Sequence, residues 1–411
     1  MKIWIKLLAG IIIGALLGKI LPLNNGDTSV FFLSLSEIVI SIGRYCIYPL
    51  LFFSLIVGSF RLKLEGILLR VYGRTVGYLL LSTALLILIG TISVLLFFPE
   101  GIHPAIQTGS DYSIPGVSET IMEVFPRNFF MIFVNDGNFI LPLCFFAFFF
   151  GINLTYDKQL TVPVVQFFDV LSKVFYHINS FIIEVLGLGL IIVSASMLIQ
   201  LRSISQLMIF SQLFFVLIFN SVILIFGILP GLLYLLMREK QNPYKWLYAI
   251  IAPAIAGFIS GDSYFSLTLL VRHGKENLGI PRKIGSTTFP LFALFGRAGT
   301  ALVTCVAFII VLKSYSRIEI SVSQIFWIIS FAFFISFVLG SFPGQGAIVS
   351  ISILCSLFDS GIKEGYLILL PVAFLLVSFG VFLDVVVSAF VSLLVADHEN
   401  IHKEVDPLDF I

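Results

Sequence analysis

The sequence predicts an all-α polytopic membrane protein with eight transmembrane helices and two re-entrant helical hairpins. Three observations carry that prediction. Of its 411 residues 59% are hydrophobic and 11% charged, with a mean hydropathy of +1.08, whereas a water-soluble chain of this size needs more charge to cover its surface. Apolar runs of about 20 residues, the length that crosses bilayer hydrocarbon, recur along the chain. Two further apolar stretches are broken at their centres by glycine, proline and serine, which is tolerated at membrane depth only where the backbone is buried in protein or lines a watery cavity.

In chain order, the expected spans are 4–22, 31–59, 72–98, 129–153, 180–200, 208–237, 284–312 and 365–396, with 155–178 unassigned. The first run, "MKIWIKLLAGIIIGALLGKILP", has no small-residue cleavage site after it and reads as a spanning helix rather than a signal peptide. Its Gly10, Gly14 and Gly18 form a small-residue stripe suited to packing against another helix. The interrupted stretches are 243–280, with "APAIAGFISGDSYFSLT", and 322–360, with "FVLGSFPGQGAIVS"; both are read as hairpins. Cys46, Cys144, Cys305 and Cys355 lie in apolar runs at irregular spacing, so neither a disulfide framework nor a zinc ribbon is expected.

The net charge of +1 excludes little, but the distribution of charge is informative. With the N-terminus inside, Lys2, Lys6, Arg61, Lys63, Arg70, Arg74, Arg238, Lys240, Lys245, Arg272, Lys275, Arg282 and Lys283 all fall on the cytoplasmic side. The opposite loop, 99–127, offers Glu100, Asp111, Glu119 and Glu123 against Arg127. That asymmetry satisfies the positive-inside rule and places both termini in the cytoplasm. His273 and His398 then fall in cytoplasmic segments and are expected on solvated faces. The first hairpin opens from the cytoplasm and the second from outside. Each is followed by a long helix, and such inverted pairs of discontinuous elements form the mid-membrane substrate sites of transporters.

Both of those long helices carry polar residues centrally: Arg297 and Thr300 in one, Asp384 and Ser388 in the other. An arginine in "LFGRAGTALV" is costly in hydrocarbon unless it is paired or hydrated. Three readings stay open for it: an internal positive charge, a ligand for a substrate carboxylate, or one half of a packing pair with an aspartate. Among enzyme signatures, no nucleophile–base pair, H-E-x-x-H or Gly-rich phosphate loop occurs, and a nucleic-acid partner is not expected.

"NDGNFILPLCFFAFFFGINLTY" (Asn135–Tyr156) and "FPGQGAI" (Phe342–Ile348), with Pro343, Gly344 and Gly346, resemble the fourth helix and second-hairpin tip of the dicarboxylate/amino acid:cation symporters, which include the glutamate transporters. The resemblance covers nearly the whole chain. It implies a glutamate-transporter-like elevator fold and a homotrimer. Residues 1–207 then mainly form the scaffold, except for the third helix, 72–98, which joins the transport domain. Residues 208–411 mainly form that domain from hairpin 243–280, helix 284–312, hairpin 322–360 and helix 365–396.

The family signature N-M-D-G-T reads Gly296-Arg297-Ala298-Gly299-Thr300 here. In the last helix, D-x-x-R-T-x-x-N-x-x-x-D maps onto Asp384, Val387, Ser388, Val391 and Val395. The resemblance therefore keeps, in Asp384, the residue that holds a substrate ammonium. It loses the side-chain-gripping arginine and the asparagine and aspartates that coordinate sodium. The first hairpin's serine-rich tip becomes Asp262-Ser263-Tyr264-Phe265-Ser266. In the third helix Tyr78 and Ser82 match sodium-site residues, but Leu81 replaces a threonine.

Valine and alanine side chains offer no oxygen to a hard cation, so the principal sodium sites are expected to be absent, and no other metal or cofactor is expected. The expected substrate residues are Arg297, Thr300, Asp384, Ser388, Ser263, Ser266, Pro343, Gly344 and Gly346, with Arg297, Asp262 and Asp384 balancing charge. The expected activity is secondary transport of an amino acid or dicarboxylate across the inner membrane, with sodium coupling, proton coupling and exchange all open. A non-transporting sensor or scaffold and an anion channel are the alternatives. Small-molecule substrate, lipid and two further copies of the chain are the expected partners.

Overall fold

A backbone surrounded by hydrocarbon can satisfy its amides only within a helix or a closed barrel. In a computed structural model every described apolar run of this chain is helical. The structure describes residues 2–21, 26–97, 99, 101–102, 128, 130–134, 139–204, 207–237, 242–315, 320–358 and 362–411. Arg238 and Lys240, the loop charges Glu100, Asp111, Glu119, Glu123 and Arg127, and the opening Asn135-Asp136-Gly137-Asn138 of the fourth-helix motif lie outside them.

The helices are α1 (Ile3–Ile20), α2 (Gly26–Arg44), α3 (Ile47–Leu64), α4 (Leu68–Phe97), α5 (Leu141–Asn153), α6 (Lys158–Ser203), α7 (Ser211–Val222), α8 (Leu229–Leu236), α9 (Lys245–Ser260), α10 (Ser263–Glu276), α11 (Arg282–Phe295), α12 (Ala298–Tyr315), α13 (Val322–Ser336), α14 (Gly346–Leu357) and α15 (Ala373–His398), with a single turn at Met131–Val134. Among the described residues seven helical stretches are long and apolar enough to cross a membrane. They coincide with seven of the eight expected spans. The eighth, 129–153, is represented by that turn and the 13 residues of α5.

The structure differs from the sequence reading in four places. The span expected at 31–59 breaks at Tyr45–Cys46 between α2 and α3. The unassigned 155–178 fuses with 180–200 into α6, 46 residues long and capped at its start by the Asp157 side chain, which accepts from the Gln159 and Leu160 amides. The helix expected at 284–312 is interrupted at Gly296–Arg297. His273, expected on a solvated face, is fully buried, with Nδ1 2.9 Å from the Leu269 carbonyl.

Between α7 and α8 the chain widens into a π-helical turn at Ile223–Ile228. Pro230 explains it: lacking an N–H, it cannot bond the carbonyl four residues back, at Phe226. The Tyr244 hydroxyl donates to that carbonyl instead, at 3.1 Å.

The small-residue stripe of α1 packs along α6. A Cβ on Gly10 would lie 2.1 Å from the Gly187 carbonyl oxygen, one on Gly14 2.2 Å from that of Ile191, and one on Gly18 2.8 Å from that of Ala195. Equal steps along both chains make the two helices parallel. Around α2, α3 and α5 this pair forms one group, while α4 packs on α12 and α15 together with both hairpins.

Gly14→Ala should force α1 from α6 and cost about 1–3 kcal/mol, typical of overpacking. Gly77→Ala, where a Cβ would meet nothing within 4 Å, should be neutral or slightly stabilising. Thermal unfolding midpoints of the purified variants in detergent separate the two.

Candidate functional site

The first hairpin turns in two residues. Gly261 ends α9 in the left-handed conformation (φ 61°), which glycine adopts without strain. Asp262 then starts α10 by accepting the Phe265 amide on Oδ1 at 2.7 Å. In the second hairpin a 3₁₀ turn at Leu339–Ser341 follows α13, and Phe342–Gln345 leads into α14. The two tips touch, since the Ser263 amide donates to the Pro343 carbonyl at 3.1 Å and the Tyr264 hydroxyl to that of Gly340 at 2.6 Å.

Against these tips lies the break between α11 and α12. A helix starting mid-membrane exposes its first N–H groups where no water can take them. Asp384, 85 residues beyond Gly299 along the chain but adjacent in space, accepts them: Oδ1 from the Gly299 amide at 2.7 Å and the Thr300 amide at 3.1 Å, and Oδ2 from the Thr300 hydroxyl at 2.6 Å. The carboxylate also sits at the positive end of the α12 dipole. It reaches there because α12 and α15 cross backbone to backbone: a Cβ on Gly299 would stand 2.3 Å from Leu383 Cβ.

Arg297 supplies the carbonyl that accepts the Ala301 amide at 2.8 Å, while its side chain is 2% exposed. Nη1 donates to the Ser263 hydroxyl and lies 3.9 Å from Asp384 Oδ2. Nε and Nη2 have no partner. These two N–H groups share one edge of the planar guanidinium, the edge that binds a carboxylate in bidentate fashion. A small cavity of about 20 Å³ is lined by Ser263, Arg297, Asp384 and Ser388 together with apolar side chains including Leu267 and Phe292.

Of the expected site residues, the structure thus brings Ser263, Arg297, Asp384 and Ser388 around one cavity, with Thr300 bonded to Asp384. Ser266 is turned away, its hydroxyl donating to the Asp262 carbonyl at 2.5 Å. Pro343 and Gly344 line a second, larger cavity of about 840 Å³ between α2, α6 and the hairpin tips, and Gly346 packs near Thr300. Asp262 does not meet Arg297; it forms an ion pair with Arg44 of α2, whose Nε donates to Oδ1 at 2.8 Å. Sequence reasoning missed Arg44. The signal was available, because an arginine within the apolar run 31–59 is as costly as Arg297. At the positions mapped onto sodium ligands, Val391 and Val395 are buried in packing and Ser82 bonds back to the Leu79 carbonyl at 3.0 Å, while Val387, mapped onto the side-chain-gripping arginine, is buried as well. Among the described residues no three His, Cys, Asp or Glu side chains converge.

Two helical hairpins whose tips meet at a broken helix, in a chain of apolar spans, are consistent with a polytopic membrane transporter. The chain belongs to the sodium:dicarboxylate symporter family, whose profile matches residues 3–398. It is similar to the proton/sodium-glutamate symport protein of Geobacillus stearothermophilus, at 22% identity over 334 residues covering 79% of this chain and 76% of that one. It is also similar to human neutral amino acid transporter A, at 26% over 195 residues (47% of this chain, 36% of that one), and to mouse neutral amino acid transporter B(0), at 27% over 173 residues (42% and 31%).

Removing the trans cap tests its role. Asp384→Ala should destabilise the protein by about 1–3 kcal/mol for each abandoned donor, whereas Asp384→Asn keeps an acceptor oxygen and should cost less. Equal losses in unfolding midpoint for the two would show that capping is not what Asp384 contributes.

Proposed function

We propose that this chain carries a neutral amino acid or another small carboxylate across the plasma membrane by an elevator movement, with Arg297 holding the substrate carboxylate in place of a bound cation. The observation that carries this reading is the pair of unpartnered N–H groups on a guanidinium buried beside Ser263, Asp384 and Ser388. A buried donor without an acceptor costs stability, and a bidentate carboxylate is the ligand that removes that cost for two donors at once.

Charge balance favours a zwitterion. Arg297 and Asp384 cancel each other, so an amino acid with an uncharged side chain leaves the loaded site neutral, while a dicarboxylate leaves two buried negative charges. Of the roughly four lone-pair positions of the Asp384 carboxylate, three are occupied; the one remaining can accept the substrate ammonium. Leu267 and Phe292 give an apolar side chain its wall. The names of the mammalian relatives agree with that class.

Coupling follows from the same residues. With Gly296, Ala298, Val391 and Val395 in place of the family's oxygen ligands, transport proceeds without sodium. The contacts of α4 with α12 and α15 support its place in a moving domain, with α1, α2, α3, α5 and α6 as a trimeric scaffold and both termini cytoplasmic. The cavity as it stands is far smaller than an amino acid, so the hairpin tips must part to load it.

Uptake of radiolabelled neutral amino acids and dicarboxylates into proteoliposomes tests the reading. Substrate should enter without imposed sodium, and Arg297→Met should reduce apparent affinity about 10- to 100-fold, the value of a charged hydrogen-bonded contact. Sodium-dependent uptake unchanged by the substitution would overturn it.

A further inference from the structure

Three cations from three directions converge on one carboxylate at the end of the bundle where α3 finishes and α11 begins. Asp169 Oδ1 accepts from Arg61 Nη2 at 3.0 Å and Arg282 Nη1 at 3.2 Å, and Oδ2 pairs with Lys173 Nζ at 2.8 Å. One carboxylate cannot neutralise three cations. Neighbouring acids do not make up the difference: Glu276 is engaged by the Tyr176 hydroxyl at 2.7 Å and Lys275 at 3.2 Å, Glu65 by Lys283 at 2.6 Å, and Glu184 by Arg272 at 3.2 Å.

Beside this cluster lies a small cavity of about 30 Å³ between α3 and α6 on one side and α10 and α11 on the other, lined by the apolar Leu50, Ile280 and Phe289 and by the polar Ser172, Tyr176 and Arg282. Two polar atoms of that lining are buried without a partner: Ser172 Oγ, on a residue 0% exposed, and Arg282 Nη2. Buried donors in native structures are nearly always satisfied, so these two mark a missing acceptor. Positive charge in excess of Asp169, two orphaned donors and the exposed apolar Phe167 and Val170 close by fit an oxyanion attached to hydrocarbon.

We infer that this cavity receives the phosphate of an anionic phospholipid, held by Arg282, Arg61, Lys173 and the Ser172 hydroxyl, with its acyl chains along the exposed Phe167 and Val170 of α6. The position suits such a ligand. Arg61 and Arg282 stand near the ends of stretches long and apolar enough to cross a membrane, and basic pockets between helices at the cytoplasmic surface are where anionic headgroups bind. Arginine presents its donors in the planar fork that phosphate oxygens accept. The bound lipid joins α3 and α6 to α10 and α11, a link independent of the Arg297 site.

The purified full-length protein in a neutral detergent is titrated with phosphatidylglycerol, phosphatidylcholine or inorganic phosphate, with the unfolding midpoint and the number of lipids retained in native mass spectrometry as readouts. Phosphatidylglycerol should raise the midpoint by several degrees and remain bound; the other two should not. Arg282→Gln should weaken phosphatidylglycerol binding about tenfold or more. Ser172→Ala, which leaves the ion cluster intact, should weaken it several-fold and guards against misfolding of the arginine variant. Equal stabilisation by phosphatidylcholine, or undiminished phosphatidylglycerol binding in both variants, would overturn the inference. Stabilisation by inorganic phosphate matching that by phosphatidylglycerol would overturn its assignment to a lipid.

Discussion

A helix that begins in the middle of a membrane must dispose of its first amide hydrogens without water, and α12 does so through the Asp384 carboxylate on a neighbouring helix. Much else depends on that arrangement. Because the cap comes from α15, the chain is free to break at Gly296–Arg297 and to project the Arg297 side chain toward the first hairpin instead of winding it into a continuous helix. Because Asp384 is drawn onto α12, it stays 3.9 Å from Arg297 and leaves one edge of the guanidinium open. The close crossing at Gly299 is the geometric condition for both.

The charges of the centre fall into two pairs with different characters. Arg44 and Asp262 join helix α2 to a hairpin tip, and Asp262 simultaneously starts helix α10. Arg297 and Asp384 stand apart, each committed mainly to other partners. The first pair is structural in the sense that both charges are neutralised within the protein, whereas the second leaves donors unused. Buried donors without an acceptor are uncommon in native structures, and at Arg297 two of them fall on one edge of the guanidinium.

Hydropathy made the spans legible because length and apolar content decide where a helix can cross, and the two broken stretches were visible through Gly261, Pro343, Gly344 and Gly346. The fusion of the unassigned 155–178 with 180–200 was not visible, because Lys173, His177 and Asn179 interrupt the apolar run and find their partners only in the fold; Asn179 Nδ2, for example, donates to the Thr268 carbonyl at 3.1 Å. The break at Gly296 was hidden by the apolar residues on both sides. For the site, similarity pointed to Asp384 and to the loss of oxygen ligands at Val391 and Val395. It could not reveal the capping role, since a cap supplied by residue 384 to residues 299 and 300 leaves no local pattern. The pairing of Arg44 with Asp262 was hidden for the same reason.

Under the proposed elevator movement, the ion pair between α2 and the first hairpin tip also bears on how the hairpin would travel. A carboxylate that is buried, paired and serving as a helix cap cannot slide past its arginine by small increments, because partial separation leaves two charges stranded in a low-dielectric setting. Displacement along α2 is therefore a thresholded event: the tip rests in a notch, and leaving it requires water or another counter-charge to enter the large cavity beside Arg44. On that proposal, position along the elevator becomes a discrete variable, read out by whether a single arginine holds its carboxylate.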